Sequence, residues 1–525
     1  MTSNRQSCAP VLELQELSLL VRSSGIEHPL LAGIGARFPR THFAAVMGPS
    51  GCGKSTLLKV IAGVHEHTGG AVRWDGRDLV GEGDLDPHEI GYVPQFSIAF
   101  ELLTVWENLE AALRLRVAGV ADDEAQVRLQ SLLSEVGLTE IGERPVRLLS
   151  GGQRRRLALA LEMISSPHLL LCDEVTSGLD PNAEDEVVKV MHDLSRSGER
   201  IVLNVTHSLR HLHLHDTVLV LHEGHLVYHG APATLLHYFG IDAPEQLFPQ
   251  LGSRSVAEWH EAWLTHRDDY YREAGLERAA SEFSTDGLPK EPQPHGSPAE
   301  PARSEKAAMP GLLTQFRVLL GRRWKLFFRD RGHVALQLAL LFGFPMLVVI
   351  FALSGLPQLP NANGSDRGSF LAQIMADAAQ RKQFVDAGTL VSGLVMFQVV
   401  LLALMGSNNA AREIAGERAI FEKEKFAGLR PSAYVLSKAA FLGVIVCAQS
   451  IWMTVFVHWV VDFPGDLGTQ CLVLILVNGA MSAICLALSS ILRTAEQASL
   501  VSIYIVGFQL PLSGALLALL SLIHI

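Results

Sequence analysis

The pattern of apolar and polar positions changes at about residue 310. From Val11 to about Leu251, short apolar runs alternate with segments of helical periodicity, which is typical of an α/β domain. After residue 310 the apolar stretches reach about 20 residues and carry almost no charge. The pattern predicts an α/β domain followed by an all-α polytopic membrane domain. Four runs have the length of buried strands: His42–Met47, His168–Glu174, Arg200–His207 and Thr217–Gly224.

Five apolar stretches are long enough to cross a bilayer, and a soluble protein rarely places five in series. The basic residues before the first stretch and between the second and third place those segments in the cytoplasm. We therefore predict a multi-pass integral membrane protein of the cell membrane, with the α/β domain in the cytoplasm. The predicted spans are Val334–Leu356, Ala387–Gly406, Ala439–Val461, Cys471–Leu492 and Ala498–Leu520.

An amphipathic segment precedes the first span. Over residues 311–331 arginine and lysine side chains surround an apolar face, and a basic helix of this kind lies on a membrane surface. The apolar face comprises Leu312, Phe316, Leu320, Trp324 and Phe327. We divide the chain into a tail (1–10), the α/β domain (11–251), a helical extension with a disordered Pro/Ser/Glu-rich linker (252–310), this connecting helix (311–331) and the membrane domain (332–525).

Composition and charge narrow the class of function. Apolar residues make up 48% of the chain and the formal net charge is −11, which gives no support to nucleic acid as a partner. The six cysteines form no C-x-x-C pair, so a metal or disulfide framework is not indicated.

A glycine-rich loop follows the first buried strand directly. Its sequence, GPSGCGKST, fits the pattern G-x-x-x-x-G-K-[ST], in which backbone N–H groups wrap a phosphate. Lys54 would supply a point charge to the β/γ oxygens, and Ser55 a hydroxyl to Mg²⁺. The motif predicts ATP and Mg²⁺ as cofactors, although taken alone it does not separate a kinase, a GTPase or a motor. The nucleotide-binding residues are Gly48, Pro49, Ser50, Gly51, Cys52, Gly53, Lys54, Ser55 and Thr56.

Polar residues at the ends of later strands complete the predicted catalytic set. Asp173 ends an apolar run and can enter the Mg²⁺ shell, while Glu174 can accept a proton from an attacking water. His207 lies past the next strand, at the sheet edge where ligands gather. We predict Glu174, His207 and Gln95 as catalytic residues. The predicted Mg²⁺ ligands are Ser55, Gln95 and Asp173.

The stretch LSGGQ opens a basic helix and predicts a second anion site, because Ser150, Gly151 and Gly152 leave backbone N–H groups free. The order of these motifs resembles the nucleotide-binding domain of ATP-binding cassette (ABC) transporters. Leu149, Ser150, Gly151, Gly152 and Gln153 match the signature of that family letter for letter. The resemblance implies that two cassettes meet head to tail, so that each signature covers the γ-phosphate on the other P-loop. It also implies that Asp180 communicates across the dimer and that His207 contacts the γ-phosphate.

Two further segments resemble the G (White/Brown) subfamily, in which the cassette precedes an ABC-2 type membrane domain. They are Val227–Gly240 and Ala411–Phe441. The resemblance implies a half-transporter that pairs with an identical or a different partner and exports lipid or another amphipathic cargo. An importer or flippase of the same build, or an ATP-gated signalling or assembly protein that moves no solute, remains open.

The sequence departs from the family pattern in three places. The aromatic residue that usually stacks on adenine is replaced by Leu19, Leu20 and Val21. Val175 follows Glu174, where the family usually has proline. The subfamily has six spans and we predict five, so we expect a truncated sequence, with a true five-span protein as the alternative.

Overall fold

The computed structural model describes residues 12–23, 26–79, 88–95, 99–276, 309–353, 391–461 and 466–512. These residues form two compact units, an α/β unit up to Gly311 that also includes Phe426–Leu429, and a helical unit of Leu312–Lys425 and the residues from Arg430 onward. The N-terminal tail, residues 277–308 of the predicted linker and the loop after the first predicted span lie outside the described residues.

Two sheets form the α/β unit. The larger sheet has the order β10-β9-β3-β8-β7-β6 and is parallel except for the β9–β10 pair, while the smaller sheet, β2-β1-β4-β5, is antiparallel. Every residue of β3, β7 and β8 is buried, as expected of parallel strands covered on both faces. The strands are β1 Leu12–Ser23, β2 Ile26–Phe38, β3 His42–Met47, β4 Gly69–Trp74, β5 Arg77–Asp78, β6 Ile90–Val93, β7 Leu169–Asp173, β8 Ile201–Val205, β9 Thr217–His222 and β10 His225–Gly230.

Side-chain caps fix where several helices of this unit begin. Thr104 and Glu107 form a reciprocal capping box at the start of α2, and Ser255 with Glu258 does the same for α8. These bonds satisfy N–H groups that the first turn of a helix leaves unpaired. The helices are α1 Lys54–Ile61, α2 Val105–Arg116, α3 Asp122–Glu135, α4 Gly151–Met163, α5 Pro181–Arg196, α6 Pro232–Phe239, α7 Leu247–Leu251 and α8 Val256–Glu273.

The helical unit contains four helices that are long and apolar enough to cross a membrane, counted among the described residues. The fifth predicted span is described only as far as Leu512, so the remainder of that prediction lies outside the described residues. The helices are α9 Leu312–Arg329, α10 Arg331–Leu353, α11 391–410, α12 Arg418–Phe426, α13 Pro431–Val461, α14 Leu467–Ile491 and α15 Ala495–Leu512.

The helix of the third predicted span begins earlier than the sequence indicated. We predicted a start at Ala439, whereas α13 begins at Pro431. Lys438, the charged residue directly before the predicted span, is buried and places its ammonium 2.9 Å from Glu413 and 2.7 Å from Glu417. Because the charge is paired within the unit, the helix continues through this position.

The buried face of α9 also differs from the predicted apolar face. Phe327 of the predicted face is buried, and Leu320 and Trp324 are partly buried against the same cluster. The buried residues also include Gln315 and Arg322, which we did not predict. The Arg322 guanidinium donates to both carboxylate oxygens of Glu424, and Arg323 donates to both oxygens of Glu413. Bidentate pairing of this kind holds a guanidinium inside a helical unit, which hydrophobic periodicity alone does not reveal. The buried side chains of α9 are Gln315, Leu319, Arg322, Leu326 and Phe327.

Helices α11 and α14 approach closely at Gly406. A Cβ atom at this position would lie 2.6 Å from Asn478 Oδ1 and 2.8 Å from Ser482 Oγ. We expect Gly406→Ala to destabilise the protein by about 1–3 kcal/mol through overpacking. The measurement is the thermal unfolding midpoint in detergent, with Gly393→Ala on the same helix as the control, because a Cβ there meets nothing within 4 Å. Equal midpoints for the two variants would contradict the prediction.

Candidate functional site

The glycine-rich loop joins β3 to α1. Residues Gly48–Gly53 form the loop, and Lys54, Ser55 and Thr56 begin the helix. Gly48 has a φ of 147°, and a Cβ there would lie 2.2 Å from Leu221 O, so only glycine fits beside β9. Gly51 has a φ of 81° and open space where its side chain would be. The loop therefore keeps a concave, backbone-lined surface at the N-terminus of α1, as an anion site requires.

Lys54 points into this loop. Its ammonium lies 3.0 Å from Gly48 O and 2.9 Å from Pro49 O, and its side chain is buried. The Cys52 thiol lies 3.9 Å from the same nitrogen, and burial raises the pKa of that thiol. The charge of Lys54 is thus held by carbonyl dipoles with no carboxylate bonded to it among the described residues, which leaves it suited to a phosphate.

Asp173 is held by two hydroxyl groups. Ser55 Oγ donates to Asp173 Oδ1 at 2.7 Å, and Tyr92 OH donates to Oδ2 at 3.0 Å. Burial raises the pKa of Tyr92, so this phenol stays protonated and can only donate to the carboxylate. A carboxylate beside a serine hydroxyl offers the hard oxygen donors that Mg²⁺ prefers, so these residues fit the ion that we predicted.

Glu174 faces a different set of partners. Gln95 Nε2 donates to Glu174 Oε2 at 2.8 Å, and His207 Nε2 lies 3.2 Å from Oε1. Glu174 itself has a φ of 49°, a left-handed conformation that is uncommon outside glycine and points to a local constraint. The structure thus brings the three predicted catalytic residues together, at the carboxyl ends of β6, β7 and β8.

The signature segment begins α4. Ser150 caps the helix by accepting from Gln153 N, and the Gln153 side chain accepts from Ser150 N, so the N–H of Ser150 is not free as we expected. Gly151 and Gly152 occupy the first two helical positions, whose N–H groups have no carbonyl one turn earlier. Leu149 is buried in the core that α4 helps to form.

Gly152 also packs closely against the next helix. A Cβ on Gly152 would lie 2.9 Å from Ala183 Cβ on α5. Asp180 caps α5 by accepting from Ala183 N at 3.0 Å, with Pro181 at the first helical position. Among the described residues, no hydrogen bond joins the signature segment to the P-loop of the same chain.

Sequence reasoning missed two residues of this site. Tyr92 contacts Asp173, and Arg155 donates to the backbone oxygen of Gln95. Tyr92 lies on β6, three residues before Gln95, so its place on the strand that leads to a predicted site residue was the available signal. Nothing in the run of three arginines after the signature indicates which one reaches the site.

Two family models match the chain. The model described as ABC transporter matches residues 31–177, and the model described as ABC-2 type transporter matches residues 314–524. An ABC transporter ATP-binding/permease protein of Mycobacterium tuberculosis is 33% identical over 431 residues, which cover 82% of this chain and 44% of the relative. ABC transporter G family member 22 of Arabidopsis thaliana is 34% identical over 226 residues, 41% of this chain and 30% of the relative.

A macrolide export ATP-binding/permease protein of Syntrophobacter fumaroxidans is 34% identical over 205 residues, 38% of this chain and 28% of that protein. The chain thus spans less than half the length of each of these relatives.

The α/β unit with its P-loop and signature segment is an ATP-binding cassette, and the unit that follows is a helical membrane domain. The chain belongs to the ABC transporters, with the cassette ahead of an ABC-2 type membrane domain and with relatives in the G family. This confirms the predicted family and fold class. The membrane domain and the four apolar helices make it an integral membrane protein.

Proposed function

We propose that the chain is an ATP-driven half-transporter of the G type that exports lipid or another amphipathic cargo. The observation that carries the proposal is the convergence of Gln95, Glu174 and His207 beside a P-loop, in a chain that continues into an ABC-2 type membrane domain. Such a site is suited to ATP hydrolysis. The membrane domain is the part of the chain whose conformation hydrolysis would change. The name of the Syntrophobacter relative, a macrolide exporter, supports the outward direction.

Binding would use the P-loop residues in their observed places. Lys54 would turn from its two carbonyl partners to the β/γ oxygens, and the loop N–H groups would wrap the β-phosphate. Ser55, Asp173 and Gln95 would hold Mg²⁺. When bound, Mg²⁺ would supply positive charge that offsets the negative charge of the β- and γ-phosphates.

Hydrolysis would depend on Glu174 as the general base. Its carboxylate would accept a proton from the attacking water, and Gln95 would keep that carboxylate oriented. His207 lies on the other oxygen of Glu174 and would donate toward the γ-phosphate. The two carboxylates thus have separate tasks, since Asp173 is occupied by Ser55 and Tyr92.

A second copy, or a different half-transporter, would complete each nucleotide site. The first-turn N–H groups of Gly151 and Gly152 would bind the γ-phosphate on the partner, together with Ser150. Asp180 would transmit the state of one site to the other. ATP would favour the closed pair of cassettes and hydrolysis would release it, so that the cycle shifts the spans between inward-facing and outward-facing states. The cassettes would work in the cytoplasm, below the cell membrane.

The test is ATP-dependent movement of a fluorescent amphiphile in proteoliposomes with outward-facing cassettes. We expect accumulation inside the vesicles with ATP, and none with a non-hydrolysable analogue. Loss of preloaded amphiphile would indicate an importer, and redistribution of labelled lipid between leaflets without accumulation would indicate a flippase. ATP turnover without any flux would show that the chain moves no solute and would overturn the proposal.

Tyr92 offers a selective test of the Mg²⁺ site. Tyr92→Phe removes the hydroxyl that holds Asp173 Oδ2, and loss of a hydrogen bond to a ligand lowers metal affinity by about tenfold or more. We expect the apparent Mg²⁺ affinity to fall by that factor while ATP binding in EDTA is unchanged, both measured with a fluorescent ATP analogue. Tyr238→Phe is the control, because its hydroxyl bonds Trp259 O instead. An equal loss of binding in EDTA would contradict the assignment.

A further inference from the structure

The three arginines that follow the signature segment reach different places. Arg154 donates to Arg147 O at 3.0 Å, and Arg156 donates to Gly137 O at 3.1 Å, so both bond the segment between α3 and α4. Arg155 points elsewhere and has no ion pair among the described residues. The three side chains are guanidinium groups on the same helix, and they differ in the carbonyl oxygens to which they donate.

Arg155 bonds two backbone carbonyls, one on each side of Glu174. One guanidinium nitrogen donates to Gln95 O, and the other lies 3.5 Å from Ser177 O. The Gln95 side chain in turn donates to Glu174 Oε2 at 2.8 Å, and Ser177 N donates to Glu174 O at 3.0 Å. Arg155 is therefore separated from Glu174 by a single residue along either route.

This placement is costly for a cation. The Arg155 side chain is partly buried, and burial lowers the pKa of its guanidinium, which nevertheless remains charged at physiological pH. A charged group is seldom withdrawn from water without a carboxylate partner. The planar guanidinium of Arg155 instead donates to two carbonyls in two separate loops. We infer that these hydrogen bonds fix the position of one loop relative to the other.

We propose that Arg155 is a positioning residue that couples the signature segment to Glu174. Helix α4 carries Ser150 at its start and Arg155 little more than one turn later. When the signature segment binds the γ-phosphate held by the partner, α4 would shift and Arg155 would displace Gln95 and Ser177. This displacement would change the position of the Glu174 carboxylate in the nucleotide site of the same chain. The proposal rests on the paired cassettes of the proposed function and assigns the link between the two sites to one side chain.

The test compares Arg155→Gln with Arg154→Gln in full-length protein in lipid vesicles. For Arg155→Gln we expect kcat to fall about tenfold, as for a misplaced catalytic group, with KM for ATP changed less than about twofold. The ATP dependence should also lose its cooperativity. Arg154→Gln should keep the wild-type values, and Arg155→Lys should fall between, because a single ammonium cannot span both carbonyls.

Hydrogen–deuterium exchange gives a readout that does not depend on turnover. Exchange of the backbone amides in residues 91–95 should rise in Arg155→Gln and stay unchanged in Arg154→Gln. Stoichiometric binding of a fluorescent ATP analogue shows that each variant is folded. If Arg155→Gln does not fold, Arg155→Lys replaces it in both measurements.

The proposal would be overturned if Arg155→Gln kept the cooperative ATP turnover of the wild type. It would also be overturned if Arg154→Gln and Arg155→Gln had equal effects. Absence of ATP turnover in the wild type would instead overturn the proposed function.

Discussion

Replacing Glu174 by glutamine is expected to lower ATP turnover by about a thousandfold, within the range that a general base contributes. The amide has nearly the same shape and can still accept from Gln95 or contact His207, but it cannot take a proton from water. The P-loop, Lys54 and Asp173 are unaffected, so the affinity for ATP should change by less than about threefold. Bound nucleotide should consequently remain ATP rather than ADP.

The measurement is phosphate release from purified protein in lipid vesicles, together with identification of the bound nucleotide after incubation. Glu199→Gln is a suitable control, because Glu199 has the same left-handed backbone conformation, with a φ of 54°, and lies on the surface. The control should turn over at the wild-type rate. Wild-type turnover by Glu174→Gln would show that another group accepts the proton and would remove Glu174 from the catalytic set.

The placement of the two carboxylates was predictable because the rule that relates them to structure is local. A parallel strand that ends in Asp173 and Glu174 places both at the edge where β6 and β8 also end, so Gln95 and His207 had to lie nearby. The partner of each carboxylate oxygen was not predictable. Alternation along β6 does not say that Tyr92 reaches Asp173, because that depends on the register between two strands far apart in sequence.

In the membrane domain, composition predicted the spans, but it could not predict which polar side chains of different helices bond to one another. Long uncharged stretches indicate helices, since every backbone group in lipid must bond within its own helix. The polar side chains follow no such rule. Gln337, Asn409 and Gln449 form a closed ring of amide hydrogen bonds between three helices, and nothing in the sequence relates the three positions.

The burial of two arginines on α9 was not predictable for the same reason. A run of arginines beside apolar residues is typical of a helix at a membrane surface. Two of those arginines instead pair with Glu413 and Glu424, which follow about a hundred residues later. Only the fold shows that these carboxylates neutralise them.

Replacing Lys438 by methionine is expected to destabilise the protein by about 3 kcal/mol, the cost of breaking a buried ion pair. Lys438 and Glu413 are both buried, and with Arg323 and Glu417 they form a cluster of two cations and two anions. Removing the ammonium leaves two carboxylates against one guanidinium in a setting that water reaches poorly. The unfolding midpoint in detergent should fall, whereas Lys425→Met, at an exposed position, should leave it unchanged.

The second variant of this cluster separates charge from packing. If the uncompensated anion is the cause, adding Glu417→Gln to Lys438→Met restores the balance of one cation and one anion and should recover part of the lost stability. Glu417 is the carboxylate to neutralise, because Glu413 also accepts from Arg323 and would leave that guanidinium unpaired. If the double variant is instead less stable than Lys438→Met, the loss comes from the missing ammonium contacts, and the charge balance of the cluster is not what stabilises this end of α13.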